Sequence, residues 1–182
     1  MTVRTKLYIG LLALVVVMVG GSLWFLFNAT PVIDIPEGKP IIAAESSYTL
    51  GAQDRDRLFI YENGMVVFVE DEWYRPTMSK TRTWNVGQLE KVELDNIILL
   101  FQSDNFTALE DSYKWPPPSR VFNYIVSIDY QGITKTVTVT GYPTPDEGLT
   151  YPDMPYPLNE IYQELKQVID NTEEVYSEPI QS

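Results

Sequence analysis

The chain has 182 residues and a formal net charge of −12, from 13 Lys and Arg against 25 Asp and Glu. It holds no His and no Cys, which excludes Ser-His-Asp and Cys-His nucleophilic centres, His- or Cys-ligated zinc and disulfides. Acidity of this size, with no basic patch or stripe, argues against nucleic acid as a partner, because such binding depends on neutralising phosphates with Lys and Arg.

Residues 1–6 carry Arg4 and Lys6, and no acid precedes Asp34. The run from Leu7 to Phe27 then holds no charge at all. At a helical rise of about 1.5 Å per residue it is roughly 30 Å long, the thickness of a bilayer's hydrocarbon core. It is therefore expected to be a transmembrane anchor, with the lipid bilayer as partner of Leu7 to Phe27. The flanking positive charges place the tail 1–6 in the cytoplasm and everything after Phe27 outside, a single-pass arrangement in the cell membrane. A cleaved signal peptide would have a shorter apolar region and a small-residue cleavage site; this run ends in Trp24-Phe25-Leu26-Phe27. An exported domain without cysteine fits a prokaryote.

Residues 28–40 contain Pro31, Pro36, Gly38 and Pro40 and read as an extended tether. The exterior α+β domain is expected over 41–170. Arg57 to Tyr61 and Met65 to Val69 flank Glu62-Asn63-Gly64, and Asn-Gly between two β-prone runs predicts a hairpin. Ser79 to Trp84 is a third strand. From Glu90 the period lengthens: Leu94, Ile97, Ile98 and Phe101 share one face of a helix, Leu99 and Leu100 widen that apolar face so that the helix is expected to be well covered, and it ends near Ser103-Asp104-Asn105. Arg120 to Tyr130 alternates, with Phe122, Tyr124, Val126 and Ile128 on one side. Gln131-Gly132 turns the chain, and Ile133 to Thr140 returns. A proline-rich connection, 142–157, leads to a second helix carrying Leu158, Ile161, Tyr162, Leu165, Val168 and Ile169. Residues 171–182 are acidic and poor in apolar side chains, and are expected to fray. The order β-β-(β)-α-β-β-α is that of an α+β two-layer sandwich, an antiparallel sheet with two helices.

The residues offer little chemistry. There is no phosphate-cradling glycine loop. Carboxylates cluster at Asp54/Asp56, Glu70-Asp71-Glu72, Glu110-Asp111 and Asp146-Glu147. A paired-carboxylate hydrolase needs two of these facing each other across a cleft; each is read as a solvated group at an element edge or in a loop. Asp54-Arg55-Asp56-Arg57 shares only the first step of a calcium loop, and its arginines offset the charge. No catalytic residue, metal ligand or cofactor is assigned. Asn28-Ala-Thr30 and Asn105-Phe-Thr107 are weak glycosylation sequons. The binding candidates are Tyr113 and Trp115, beside Pro116-Pro117-Pro118, and Tyr151 and Tyr156 in a second proline-rich stretch, since rigid proline with aromatic rings gives low-entropy contact area. The plainer reading is that Trp115 and Tyr156 plug the edges of the sandwich.

From Leu58 to Ile169 the cadence resembles a broad group of prokaryotic membrane-anchored and lipoprotein-like α+β domains. The matching residues are Leu58-Phe-Ile-Tyr-Glu-Asn-Gly64, the helix through Phe101, Asn105-Phe106-Thr-Ala-Leu109 to Tyr113, a strand hairpin from Tyr124 to Val139, and the closing helix. More remotely, the order is similar to emfourin, a small bacterial inhibitor of thermolysin-type proteases. Emfourin-like chains carry Gly-Gly in the first hairpin and an Asp before the later strand; this chain has Asn63-Gly64 and Arg120 there. The expected function is a membrane-held, protein-binding or envelope-associated module rather than an enzyme. The resemblance implies a protease inhibitor as the alternative, and a carboxylate-dependent hydrolase ranks below both.

Overall fold

A computed structural model describes residues 33–49, 53–74, 79–114, 121–142 and 155–180. The chain divides into two compact units, 1–32 and 33–182, and all the described residues belong to the second. The expected anchor, Trp115 and Tyr151 lie outside the described residues. Among the described residues no helix is long and apolar enough to cross a membrane.

Eight strands and three helices follow in chain order. They are β1 (Ile42–Thr49), β2 (Gln53–Ile60), β3 (Met65–Tyr74), β4 (Ser79–Gln88), α1 (Lys91–Gln102), α2 (Asp104–Thr107), β5 (Ser112–Lys114), β6 (Val121–Tyr130), β7 (Ile133–Tyr142), α3 (Leu158–Asp170) and β8 (Glu173–Ile180). The strands form one sheet in the order β5-β7-β6-β1-β2-β3-β4-β8. Every neighbouring pair is antiparallel except β5 with β7. The expected α+β class and the two main helices stand, but the sheet is larger than the sequence pattern suggested.

Period-two alternation selects the face on which the helices pack. Ile42 and Ala44 of β1, Leu58 and Ile60 of β2, Val66 and Phe68 of β3, Phe122 to Ile128 of β6 at alternate positions, and Val137 and Val139 of β7 all enter one core. The helices add Leu94, Ile97, Ile98 and Phe101 from α1, Phe106 from α2, and Leu158, Ile161, Leu165 and Val168 from α3. Phe101 and Phe106 are fully buried with ring centroids 5.0 Å apart in an edge-to-face contact. Each such ring or branched aliphatic contributes about 1.5–3 kcal/mol by leaving water.

Local signals set the turns. Gly64 takes φ +82°, and a Cβ there would lie 2.7 Å from the Leu89 carbonyl oxygen. The Met65 N–H donates to Asn63 Oδ1 at 3.0 Å, so both residues of the Asn-Gly pair are used. Gln131 and Gly132 both have positive φ, as a two-residue hairpin turn of the favoured hand demands. At the start of α1 the Glu90 N–H donates to Glu93 Oε2 at 2.8 Å. Its end is marked by Ser103, whose hydroxyl donates to the Leu100 carbonyl at 2.7 Å and accepts from the Phe106 N–H at 3.3 Å.

Two expectations are corrected and two strands are added. Leu99 was expected to widen the covered face of α1, yet it is 61% exposed. Residues 171–182 were expected to fray, yet Glu173–Ile180 forms β8 against β4, with Trp84 opposite Tyr176 and Arg82 opposite Glu178. The open edge of β4 supplies backbone partners that an apolar count cannot register, and Pro179 is tolerated because an edge strand can spare a donor. Strand β1 carried no alternating apolar pattern, because Ala43, Ala44, Glu45, Ser46 and Ser47 fill its middle; it nevertheless lies in the interior of the sheet between β6 and β2. Strand β5 is three residues long and parallel to β7, too short for any periodicity.

Candidate functional site

Strands β2 and β3 decide where the charges go. Asp54, Asp56, Leu58 and Ile60 share one side of β2, and Arg55, Arg57 and Phe59 the other. In register, Asp56 faces Glu70 and Arg55 faces Asp71. Asp54, Asp56, Glu70 and Glu72 therefore lie on the side of the sheet where the helices pack, and the arginines lie on the other, the open face, on which none of the described helices packs. Two expectations fail here together. These clusters are strand residues, not loop or edge groups, and Arg55 and Arg57 do not offset Asp54 and Asp56, because the pleat separates them.

On the open face Asp71 is only 3% exposed. It accepts from Arg82 Nε at 2.6 Å and Nη2 at 3.0 Å and from Arg57 Nη2 at 3.2 Å, with Lys80 Nζ at 3.7 Å. Burial alone pushes the Asp71 carboxyl up, but the Arg82 hydrogen bonds and the charges of Arg57, Arg82 and Lys80 outweigh it and leave it below the usual carboxylate range. Beside it Arg55 pairs with Glu45 at 2.6 Å. This charge cluster is internally matched and sits next to Val67 and Val69, both 1% exposed and flanked in register by Phe59, Val86 and Trp84. It reads as structure.

The covered face differs. Between α3 and the strands lies a cavity of about 220 Å3. Ala44 and Ser46 of β1 supply short side chains where neighbouring strands supply Leu58 and Phe68, and that shortfall leaves the space. Its apolar wall continues onto α3 through Leu165 and Ile169, and the exposed Lys166 and Asp170 stand at its rim. Two polar side chains reach into this wall from the sheet.

The first is Asp56. The Ser46 hydroxyl donates to Asp56 Oδ2 at 3.2 Å. Burial, then the neighbouring charge of Glu70, pushes the Asp56 carboxyl up to about 6, although the Ser46 hydrogen bond pulls the other way. Glu70 is raised in the same direction, by burial and by the charges of Glu72, Asp54 and Glu174. The second is Tyr124, 3% exposed, which packs edge-to-face on Tyr162 at 5.4 Å between ring centroids. The Tyr124 hydroxyl is buried and has no hydrogen-bond partner among the described residues. A buried, unpaired hydroxyl costs about 1–3 kcal/mol relative to a satisfied one.

The sequence-chosen candidates are placed elsewhere. Tyr113 lies in β5, half-buried against the core, and its hydroxyl accepts from the Glu110 N–H at 3.0 Å. Tyr156 precedes Pro157 at the start of α3 and is 63% exposed, so it does not plug the sandwich edge. Trp115 and Tyr151 are outside the described residues. Among the described residues no three Asp or Glu are grouped so as to hold a metal ion. Sequence reasoning noticed Asp56 only as half of an edge or loop pair, took Tyr124 and Tyr162 as packing residues, and passed over Ser46, Lys166 and Asp170. One signal was present: Tyr124 falls on the inward side of an otherwise aliphatic and Phe alternation, where its polar tip needs a partner.

No protein-family model matches the chain, and no curated protein is recognisably similar to it.

Proposed function

We propose that the chain is a single-pass membrane protein whose exterior domain is an envelope-associated binding module, with the cavity beneath α3 as its binding site. The observation that carries the binding half is that cavity: it combines an apolar wall with a poised carboxyl at Asp56 and an unsatisfied hydroxyl at Tyr124, the few convergent polar groups that fix a ligand in a mostly apolar site. The anchoring half rests on the uncharged run from Leu7 to Phe27 behind Arg4 and Lys6.

The chain is free of cysteine, so a single introduced thiol reports its own side of the membrane. In intact cells, Thr107→Cys should react with a membrane-impermeant maleimide and Thr5→Cys should not, and the protein should stay with the membrane after an alkaline wash. The opposite labelling pattern, or release by the wash, overturns this placement.

A second reading, a carboxylate-dependent hydrolase, is favoured by one observation: Asp56 and Glu70 are register partners on one side of the sheet, and burial with the charge of Glu70 pushes the Asp56 carboxyl up to about 6. Hydrolysis of a glycoside substrate abolished by Asp56→Asn and by Glu70→Gln alike would establish it.

A further inference from the structure

We propose that the cavity beneath α3 binds a small organic ammonium ion, a protonated primary amine carried on a compact apolar body. This names the ligand class of the site proposed above and rests on that reading. Three observations converge on it.

The first is the sign of the charge. Asp56 lines the cavity, Asp54, Glu70 and Glu72 lie beyond it on the same side of β2 and β3, and α3 adds Asp170 at the rim against Lys166. A cation entering beside Asp56 meets a carboxylate whose neighbours repel one another, so its arrival relieves repulsion as well as forming a pair. An anion would meet the reverse.

The second is the unfilled hydrogen-bonding capacity. The Asp56 carboxylate receives Ser46 Oγ at Oδ2, which leaves lone pairs for an ammonium donor. The Tyr124 side chain is 3% exposed, and its buried hydroxyl has no partner among the described residues. It can donate to an acceptor on the ligand or accept from its ammonium group. A compact ligand spanning both groups would satisfy the one buried hydroxyl that the fold leaves idle in this wall.

The third is the shape. The cavity, about 220 Å3, is below the ~300–1,000 Å3 of pockets that take drug-sized molecules. Leu58 and Phe68 on one side and Leu165 and Ile169 on the other give it two apolar walls. A hydrated inorganic cation would leave those walls unused; an aryl or short alkyl body fills them.

The test is calorimetric titration of the full chain in lipid nanodiscs with three probes of one size. These are phenethylammonium, 2-phenylethanol and 3-phenylpropionate, with calcium chloride as an inorganic cation. Phenethylammonium should bind saturably, about tenfold or more tighter than the alcohol, as a charge-assisted hydrogen bond implies. The propionate and calcium should not bind. Asp56→Asn should remove the preference for the amine while leaving alcohol binding in place, and Tyr124→Phe should weaken the amine severalfold. A thermal unfolding midpoint for each variant shows that it is folded.

Equal binding of amine and alcohol, tighter binding of the carboxylate, or displacement of the amine by calcium each overturns the ammonium assignment. Absence of saturable heat with every probe overturns it as well. None of these outcomes touches the thiol-labelling result, so a failed ligand assignment is distinguishable from a failed placement of the domain.

Discussion

Asp56 and Asp71 lie on neighbouring strands, one register step apart, and meet opposite fates. On the open face Asp71 is clamped by Arg82, Arg57 and Lys80, and its carboxyl is held down. On the covered face Asp56 has a serine hydroxyl and acidic neighbours, and its carboxyl is pushed up to about 6. The same chemical group serves as a bolt on one side of the sheet and is left exposed to its own repulsion on the other. The difference comes from a pleat, which sends alternate residues of Asp54-Arg55-Asp56-Arg57 to opposite faces. A matched carboxylate supports the fold; an unmatched one in a cavity costs stability and is available to a ligand.

The sharpest way to break the contrast is to unclamp the open face. Asp71→Asn leaves Arg57, Lys80 and Arg82 crowded without their shared counter-charge. Removing one partner of a buried ion pair typically costs about 3–5 kcal/mol; the bases here are 20–29% exposed, so the lower end applies. For a domain of this size about 3 kcal/mol lowers the unfolding midpoint by roughly 6–12 °C, readable by circular dichroism.

Asp56→Asn should act in the opposite direction. Its folded-state carboxyl is raised from 3.8 to about 6, so the native state holds this proton more tightly than the unfolded chain. The sign follows: the wild type loses stability from this group as pH rises from about 4 to 6 and stays penalised above. A shift of this size is of the order of 2–3 kcal/mol at about 1.4 kcal/mol per unit. Asp56→Asn should therefore be more stable than wild type at pH 8, with the two curves converging below pH 4. The Asp71 contribution runs the other way. It is fully present above the ordinary Asp range and is lost as pH falls below about 4. Wild-type stability should thus peak where these two windows meet, near pH 4. Asp56→Asn should flatten the alkaline side of that peak, and Asp71→Asn the acid side. A single monotonic curve would remove the contrast altogether.

A smaller effect is expected within the clamp. Arg57→Met should change stability by no more than about 1 kcal/mol, because Arg82 still holds both oxygens of Asp71 and the replacement spares the buried, unpartnered Arg57 Nε its desolvation. A loss comparable to that of Asp71→Asn would show that the clamp is one indivisible network.

Much of the fold was legible, and the site was not, for the same physical reason. Alternation and helical spacing report where apolar side chains are buried, so the β2–β3 hairpin, β6–β7, α1 and α3 all stand out in the sequence. Alternation also fixes which charges share a face, but Asp54-Arg55-Asp56-Arg57 looks like mixed, solvated charge until Leu58 and Ile60 assign its parity. The cavity arises from what β1 lacks. Ala44 and Ser46 are too small and too polar to mark a strand, and their smallness makes the space under α3. An edge such as β8 is held by backbone pairing to β4, which no side-chain count reveals.

The least change in stability and the most telling one for function is expected at Tyr124. Deleting its hydroxyl removes a buried polar group with no partner, and an unsatisfied group of this kind costs about 1–3 kcal/mol while it is present. If the apo cavity leaves it unsatisfied, Tyr124→Phe should match or exceed wild-type stability by up to about 1 kcal/mol, while the ring keeps its edge-to-face contact with Tyr162. A loss of about 1 kcal/mol or more would mean that ordered water already satisfies the hydroxyl and that a ligand must displace it. Urea unfolding of both proteins separates the two outcomes. The first leaves Tyr124 and Asp56 as a matched pair of unmet demands on one cavity wall, in contrast to the satisfied cluster on the opposite face of the sheet.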